Sequence, residues 1–353
     1  MNFFKNKLDS LRAGYHIGIH LVFYVALAIL LLSVFDSIMS YLVPIVMTEY
    51  GLSEFNMGLL YASSSLFGLI FDFVLTRFLS TTHYKKLFVA TILVAAAFPI
   101  CMFFAPGVLP FIVGMVLWGL YYNLWAFASA DFTARESKVI FHVASVSILM
   151  FFHDVGYIVG TLSAERLFEH LTYSQLGYLL LGIVGFALIM LVPAIRAKRR
   201  ESTTQKPSNL EKLSAMAKLI FVAKKISPLL LLGVTASTID AVIWTVTPII
   251  ETILPQLSEL GGVILAVNFL PSFIAYGMTT KLTRMFGKKR VGTFAFILGS
   301  LVLAVLGVVT SVPIYIIVSF ISAFFISIAY AALGGAYADY LNESKSYDNE
   351  IIG

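Results

Sequence analysis

The chain has 353 residues, of which 59% are hydrophobic and 12% are charged, and its net charge is +5. This composition excludes a soluble globular protein, because several segments are apolar over the length that a helix needs to cross a bilayer. The basic residues lie between these segments, where they determine membrane orientation, so nucleic-acid binding is not expected. The one cysteine, Cys101, excludes a disulfide framework and a cysteine-based metal site. The sequence therefore predicts an all-α polytopic membrane protein.

Six apolar segments of helical length precede residue 196. Lys5, Lys7 and Arg12 come before the first segment, which is too long for a signal-peptide core and has no small-residue cleavage pattern. We therefore expect an uncleaved N-terminus on the cytoplasmic side. The predicted spans are residues 21–47, 57–75, 87–104, 109–130, 139–162 and 176–195.

The next segment, residues 196–225, is too polar to enter a bilayer. Its basic side chains far outnumber its acidic ones, Glu201 and Glu211, which predicts a cytoplasmic location by the positive-inside rule. Ser208 and Glu211 have capping-box spacing, so a short helix along the membrane surface and a disordered tether are equally good interpretations. The predicted domains are a six-helix bundle over residues 1–195, a linker over 196–227 and a second bundle over 228–353.

Four more apolar segments follow the linker, at residues 228–253, 260–280, 291–309 and 314–338. With the N-terminus inside, every Lys and Arg except Arg166 lies on the cytoplasmic side, which supports ten spans, six before the linker and four after it. We expect a multi-pass protein of the cell membrane, inner or plasma, and a monomer.

The second half of the chain repeats the first. Equivalent positions follow one another by 204 to 208 residues and occur in the same order in both halves. On this repeat, Gly353 corresponds to Ser145, so we expect the parent gene to continue for about 50 residues and add two spans, which would give twelve. The matching sets are Ser33, Asp36 and Pro44 with Ser237, Asp240 and Pro248, Leu75 to Arg77 with Leu282 to Arg284, and Ala130 to Phe132 with Ala338 to Tyr340.

Two repeated bundles joined by a basic loop, with a glycine-containing basic turn after the eighth span, resemble the major facilitator superfamily (MFS). The family motif normally has an Asp where this chain has Thr283 and, in the first half, Thr76, and Asp72 lies one turn before the latter. In the family this loop helps to lock and release the two halves. An alternative is that these charges only set topology. The resemblance implies a gating role for Asp72, Arg77, Gly277, Arg284, Gly287, Lys288 and Lys289.

The fifth span contains Gly156 and Gly160, followed by Ala164. This spacing resembles the glycine-rich fifth-helix motif that the family associates with exporters, but Thr161 stands where the family has Pro. Small residues at this spacing also allow two helices to approach closely, and this packing interpretation is favoured.

The predicted spans contain acidic side chains but no Lys or Arg, so an anionic solute is disfavoured. An acidic side chain near the bilayer centre costs roughly 2.5 to 3.5 kcal/mol, which favours a functional role. A polar stripe on the first span and an aromatic stripe on the fourth could face a central cavity. His153 and Asp154 are neighbours and point about 100° apart on a helix, so no metal site or cofactor is expected. The candidate solute or proton-coupling residues are Asp36, Asp240, Asp154, Ser33, Ser40, Tyr122, Trp125, Trp244 and Asn268.

These features predict a secondary active transporter that works by alternating access, coupled to protons or another cation. The expected solute is neutral, lipophilic or cationic, with efflux favoured. The alternatives are a sugar or nutrient uptake symporter and a non-transporting sensor or scaffold, whereas a membrane enzyme would need a nucleophile or metal cluster that the sequence does not show. Asp36, with Asp240 as its symmetric partner, is predicted to bind and release the coupling proton, or else to hold helices together by hydrogen bonds.

Overall fold

The computed structural model describes residues 19–79, 83–197, 231–232, 235, 267–309 and 311–344. Residues 198–227 of the predicted linker, most of the seventh span, Asp240 and Trp244 lie outside these residues, as do the side chains of Asp72 and Arg77. The long elements of the described part are α-helices. In chain order they are α1 (Ile19–Glu49), α2 (Glu54–Leu79), α3 (Tyr84–Pro99), α4 (Val108–Glu136), α5 (His142–His170), α6 (Tyr173–Arg196), α7 (Ser272–Phe286), α8 (Lys288–Ala304) and α9 (Val312–Ser344).

Helix ends coincide with local stop signals. Thr172 and Gln175 form a capping box that begins α6, because each side chain satisfies a backbone N–H of the other. Between α7 and α8, Gly287 has a φ of +86°, a left-handed conformation that glycine adopts without a Cβ clash. A turn of π-helix, Ile100–Phe104, extends α3, and a 3-10 turn, Val305–Val308, extends α8.

Helix α1 lies in the centre of the first half, α1 to α6. One large cluster of buried apolar side chains, including Leu32, Phe35 and Met39 of α1, joins the helices of this half. Helices α1 and α5 touch at backbone distance, since a Cβ added to Gly156 would lie 2.4 Å from the carbonyl oxygen of Leu30. A Cβ on Gly160 would lie 2.7 Å from that of Val34. The small residues of α5 therefore serve close helix packing.

The second half, as far as it is described, consists of α7, α8 and α9. Ala275, Phe296 and Ala329 bring the three helices together in a small apolar cluster. Ser322 of α9 donates a hydrogen bond of 2.9 Å to the carbonyl oxygen of Gly299 in α8. Helices α7 and α9 also pack against α5 of the first half, so α5 stands between the two halves.

Seven helices within the described residues are long and apolar enough to cross a membrane. Each of the six spans predicted before the linker coincides with one helix, α1 to α6. The predicted spans at 291–309 and 314–338 coincide with α8 and α9. The total of ten, six and four, stays a prediction, because most of the seventh span and part of the eighth lie outside the described residues.

Candidate functional site

The carboxylate of Asp36 lies inside the first half and is only 3% exposed. The hydroxyl group of Tyr122, on α4, donates to its two oxygens at 3.0 and 3.1 Å. The hydroxyl group of Tyr157, on α5, donates to Oδ2. Three helices therefore meet at one carboxylate through two neutral donors.

Aromatic rings line α4 beside this carboxylate. Tyr122 packs against the ring of Trp118 at 5.9 Å and of Tyr121 at 5.4 Å. Trp125 stacks on Tyr121 at 6.5 Å and meets Phe88 of α3 edge to face. The two ring contacts of Trp125 are thus packing contacts inside the first half.

Polar contacts also fix α5 on α1. The hydroxyl group of Ser37 donates to the backbone oxygen of Tyr157 at 3.0 Å, and it shares a hydrogen bond of 2.7 Å with Thr161. Because this bond holds the main chain of Tyr157, it positions the phenol that reaches Asp36. Ser33 is buried, and its Cβ lies where a side chain on Gly156 would clash.

A second buried carboxylate, Asp154, lies one turn before Tyr157 on α5 and is 5% exposed. Its Oδ1 is 2.9 Å from Nδ1 of His153, and its Oδ2 accepts a 2.8 Å hydrogen bond from the hydroxyl group of Tyr276 on α7. Neighbouring residues on a helix point about 100° apart, and rotation about the side-chain bonds brings the imidazole of His153 to the carboxylate of Asp154. Asp154 is bound from both halves.

Ring contacts continue this junction between α5 and α7. The ring of His153 stacks on Tyr157 with centroids 4.6 Å apart. Phe269 packs on Tyr157 at 5.2 Å, and Phe273 of α7 packs on Phe151 at 5.0 Å. The two halves thus meet at this level through tilted aromatic ring contacts and one hydrogen-bonded carboxylate.

The two halves also meet at the end of the bundle where α6 leads into residues 198–230, called here the linker end. Asp339 of α9 lies 2.8 Å from Nδ1 of His142, at the start of α5, and both its oxygens accept from Nζ of Lys288 at 2.7 Å. Lys288 also donates to the backbone oxygen of Val139 at 3.1 Å. The guanidinium carbon of Arg284 lies 5.8 Å from the centre of the Phe141 ring.

The two halves also pack closely at the linker end. A Cβ on Gly335 of α9 would lie 2.4 Å from a methyl group of Val143 and 3.0 Å from its Cα. Of the residues predicted to gate, Arg284 and Lys288 contact the opposite half, whereas Lys289 contacts Tyr340 on α9 of its own half. Gly277 has open space around its α-carbon. These contacts fit the expected locking role, which stays a prediction.

The structure brings only part of the predicted site together. Asp36 and Tyr122 are in direct contact, whereas Ser40 on α1 and Asn268, which precedes α7, are half-buried. Tyr157 and Tyr276 were not predicted as partners of the two carboxylates. For Tyr157 the sequence held a signal, because this residue directly follows Gly156 in the small-residue pattern of the fifth span. Within the described residues, no group of three or more His, Cys, Asp or Glu side chains could hold a metal ion.

A family model described as Major Facilitator Superfamily matches residues 25–347. Three solved structures share the fold and each covers 94% of this chain. One is the human organic anion transporter MFSD10 (TETRAN), with 14% identity, 88% of its chain covered and a TM-score of 0.68. Another is the E. coli fucose:proton symporter FucP, with 14% identity, 94% of its chain covered and a TM-score of 0.64. The third is a bacterial homologue of the iron transporter ferroportin in an outward-facing state, with 12% identity, 86% of its chain covered and a TM-score of 0.63. A comparison with curated protein sequences gives no significant match. The match over nearly the whole chain shows that this multi-pass membrane protein belongs to the Major Facilitator Superfamily of transporters.

Proposed function

We propose that the chain is a secondary active transporter that works by alternating access and binds its coupling proton at Asp36. Its solute is a neutral, lipophilic or cationic small molecule, and efflux is the favoured direction. The observation that carries the proposal is the buried carboxylate of Asp36, held by the hydroxyl groups of Tyr122 and Tyr157. The likeness to a fucose:proton symporter supports proton coupling by analogy of fold alone.

The environment of Asp36 favours a change of charge during transport. Both tyrosine hydroxyls are neutral donors, and a charged carboxylate in the bilayer is costly. Opening of the cavity to water stabilises the charged form, whereas closure favours the proton-bound form. A group whose proton affinity changes with cavity access can couple solute movement to a proton gradient.

The aromatic lining of α4 and the two carboxylates suggest the solute class. Tyr122 is 39% exposed and lies against Trp118 and Asp36, so a flat or cationic solute there would meet ring faces and negative charge. For the same reason we do not propose organic anions, the solutes named for MFSD10, as solutes of this chain. A sugar uptake symporter and a non-transporting sensor are the other outcomes to be tested.

The function can be tested on the full chain in two steps. First, thermal stabilisation by ethidium, tetraphenylphosphonium and L-fucose separates the solute classes, because a bound ligand raises the melting temperature. Second, counterflow of the radiolabelled stabilising probe into proteoliposomes separates a transporter from a sensor. We expect one of the two cations to stabilise the protein and to exchange.

The role of Asp36 is tested with Asp36→Asn, which keeps the shape but cannot release a proton. We expect loss of transport driven by a pH gradient while probe exchange continues. Glu169→Gln, which neutralises an exposed carboxylate near the end of α5, is the matched control and should keep both activities. If Asp36→Asn retains full gradient-driven transport, Asp36 is not the coupling site.

A further inference from the structure

We propose that an anionic phospholipid binds to the second half at the linker end, with its phosphate group in a basic cavity and an acyl chain along the exposed face of α8. This lipid site is separate from the carboxylate of Asp36, and its existence does not depend on the proposed transport function. The charge of the cavity, the start of α8 and an adjoining apolar face together indicate this class of ligand.

The cavity lies where α7, α8 and α9 meet, and its volume is about 630 Å³, within the range of about 300–1,000 Å³ that is typical of ligand pockets. Lys288, Lys289 and Arg290 line it from the first turn of α8. Asp339 is the one carboxylate among the described lining residues, and it lies 2.7 Å from Nζ of Lys288. Lys289 contacts the neutral phenol of Tyr340. Because three cations face one carboxylate, the cavity favours an anionic group.

The two halves differ at the corresponding helix start. In the first half, Asp131 accepts a 2.9 Å hydrogen bond from the backbone N–H of Tyr84, where α3 begins. Asp339, the repeat equivalent of Asp131, instead accepts from the side chain of Lys288 and reaches the opposite half. Gly287, which precedes α8, has no side chain that could cap this helix. Since backbone N–H groups at a helix start attract anions, a phosphate beside the three cations would act at α8 as Asp131 does at α3.

An exposed apolar face of α8 continues from the cavity. Arg290, Phe294, Ile297 and Leu301 follow one another at intervals of three or four residues, so they share one face of the helix. The three apolar side chains are exposed. The rise from Arg290 to Leu301 is about 16 Å, close to half of the roughly 30 Å hydrocarbon core of a bilayer. A basic cavity at the end of an apolar face of this length matches a phosphate group with an acyl chain, whereas a soluble anion would leave the face unused.

Lipid retention by the full chain in detergent can be measured by native mass spectrometry. Palmitoyl-oleoyl phosphatidylglycerol is the anionic probe. Phosphatidylcholine with the same chains has no net charge, and glycerol 3-phosphate has no chains. We expect the wild type to retain phosphatidylglycerol more tightly than phosphatidylcholine, and glycerol 3-phosphate not to be retained.

Single-charge variants locate the site. Arg290→Gln removes a cation of the cavity, and loss of one basic side chain near an anionic lipid should weaken retention of phosphatidylglycerol roughly five-fold. Addition of Lys289→Gln should weaken it further, to about 25-fold, and should reduce the preference over phosphatidylcholine. Lys281→Gln, which removes an exposed cation of α7 outside the cavity lining, is the matched control and should bind like the wild type.

The outcomes are decisive for the occupant as well as for the site. Equal retention of phosphatidylglycerol by the wild type and the Lys289→Gln, Arg290→Gln double variant would overturn the proposal, as would an equal loss in Lys281→Gln. Retention of glycerol 3-phosphate as tight as that of phosphatidylglycerol would assign the cavity to a soluble anion and exclude the lipid. Because retention is measured without a solute or a gradient, these results are distinct from transport by Asp36→Asn, which tests the proposed function.

Discussion

Replacing Gly156 by alanine tests how closely α5 must approach α1. The added Cβ would lie 2.4 Å from the carbonyl oxygen of Leu30 and 2.7 Å from Cβ of Ser33, whereas ordinary contacts are 3.4–4 Å. The two helices must therefore move apart by about 1 Å, and overpacking of this kind typically costs about 1–3 kcal/mol. Because Tyr157 is the next residue, the same shift draws its hydroxyl group away from Asp36.

The matched control is Gly182→Ala on α6, where an added Cβ meets no atom within 4 Å. Alanine in a helix that can accept it stabilises by about 0.4–1 kcal/mol, so this variant should melt at the same temperature as the wild type or slightly higher. Melting of the full chain in detergent is followed by circular dichroism. Gly156→Ala is expected to melt lower and to show weaker gradient-driven transport. Equal melting temperatures for the two variants would refute the backbone contact between α1 and α5.

Two further predictions concern the linker end. Asp339→Asn removes the charge shared by His142 and Lys288, so maleimide labelling of Val143→Cys should become faster as the two halves separate, whereas Lys281→Gln, an exposed cation on α7, should leave the rate unchanged. Unchanged labelling in Asp339→Asn would show that this carboxylate does not hold the linker end closed. Gly287→Ala forces a φ of +86° on a residue with a Cβ, at about 1–2 kcal/mol, and should lower the melting temperature although no neighbouring atom is within 4 Å.

The sequence predicted much of the helical architecture because apolar length and the positions of basic residues are local properties. Asp36 was identified for the same reason, since a carboxylate within an apolar run is conspicuous in one dimension. Its partner Tyr157 was not, because the side of α5 that faces α1 depends on the close approach at Gly156 and Gly160. Asp240, the expected symmetric partner, lies outside the described residues, so its role stays a prediction.

The contacts between the halves could not be predicted, because each joins residues that are far apart in the chain. Asp339 was recognised only as a repeat position that matches Asp131. In the structure the two have different partners: Asp131 accepts from the backbone N–H of Tyr84 within the first half, whereas Asp339 reaches His142 in the other half. Repeated sequence therefore indicated equivalent positions without indicating equivalent contacts.

The two faces of α5 should respond very differently to shear. On the α1 side, glycines let main-chain atoms of one helix touch carbonyl oxygens of the other, so sliding would force polar backbone groups past one another with no side-chain layer between them. On the α7 side, the rings of Phe151 and Phe273 lie 5.0 Å apart at an angle of 50°, so the contact is made by side chains, which can adjust by rotation about their own bonds. We therefore expect α1 and α5 to move together as one rigid unit. Relative motion should occur between α5 and α7, where aromatic side chains form the contact.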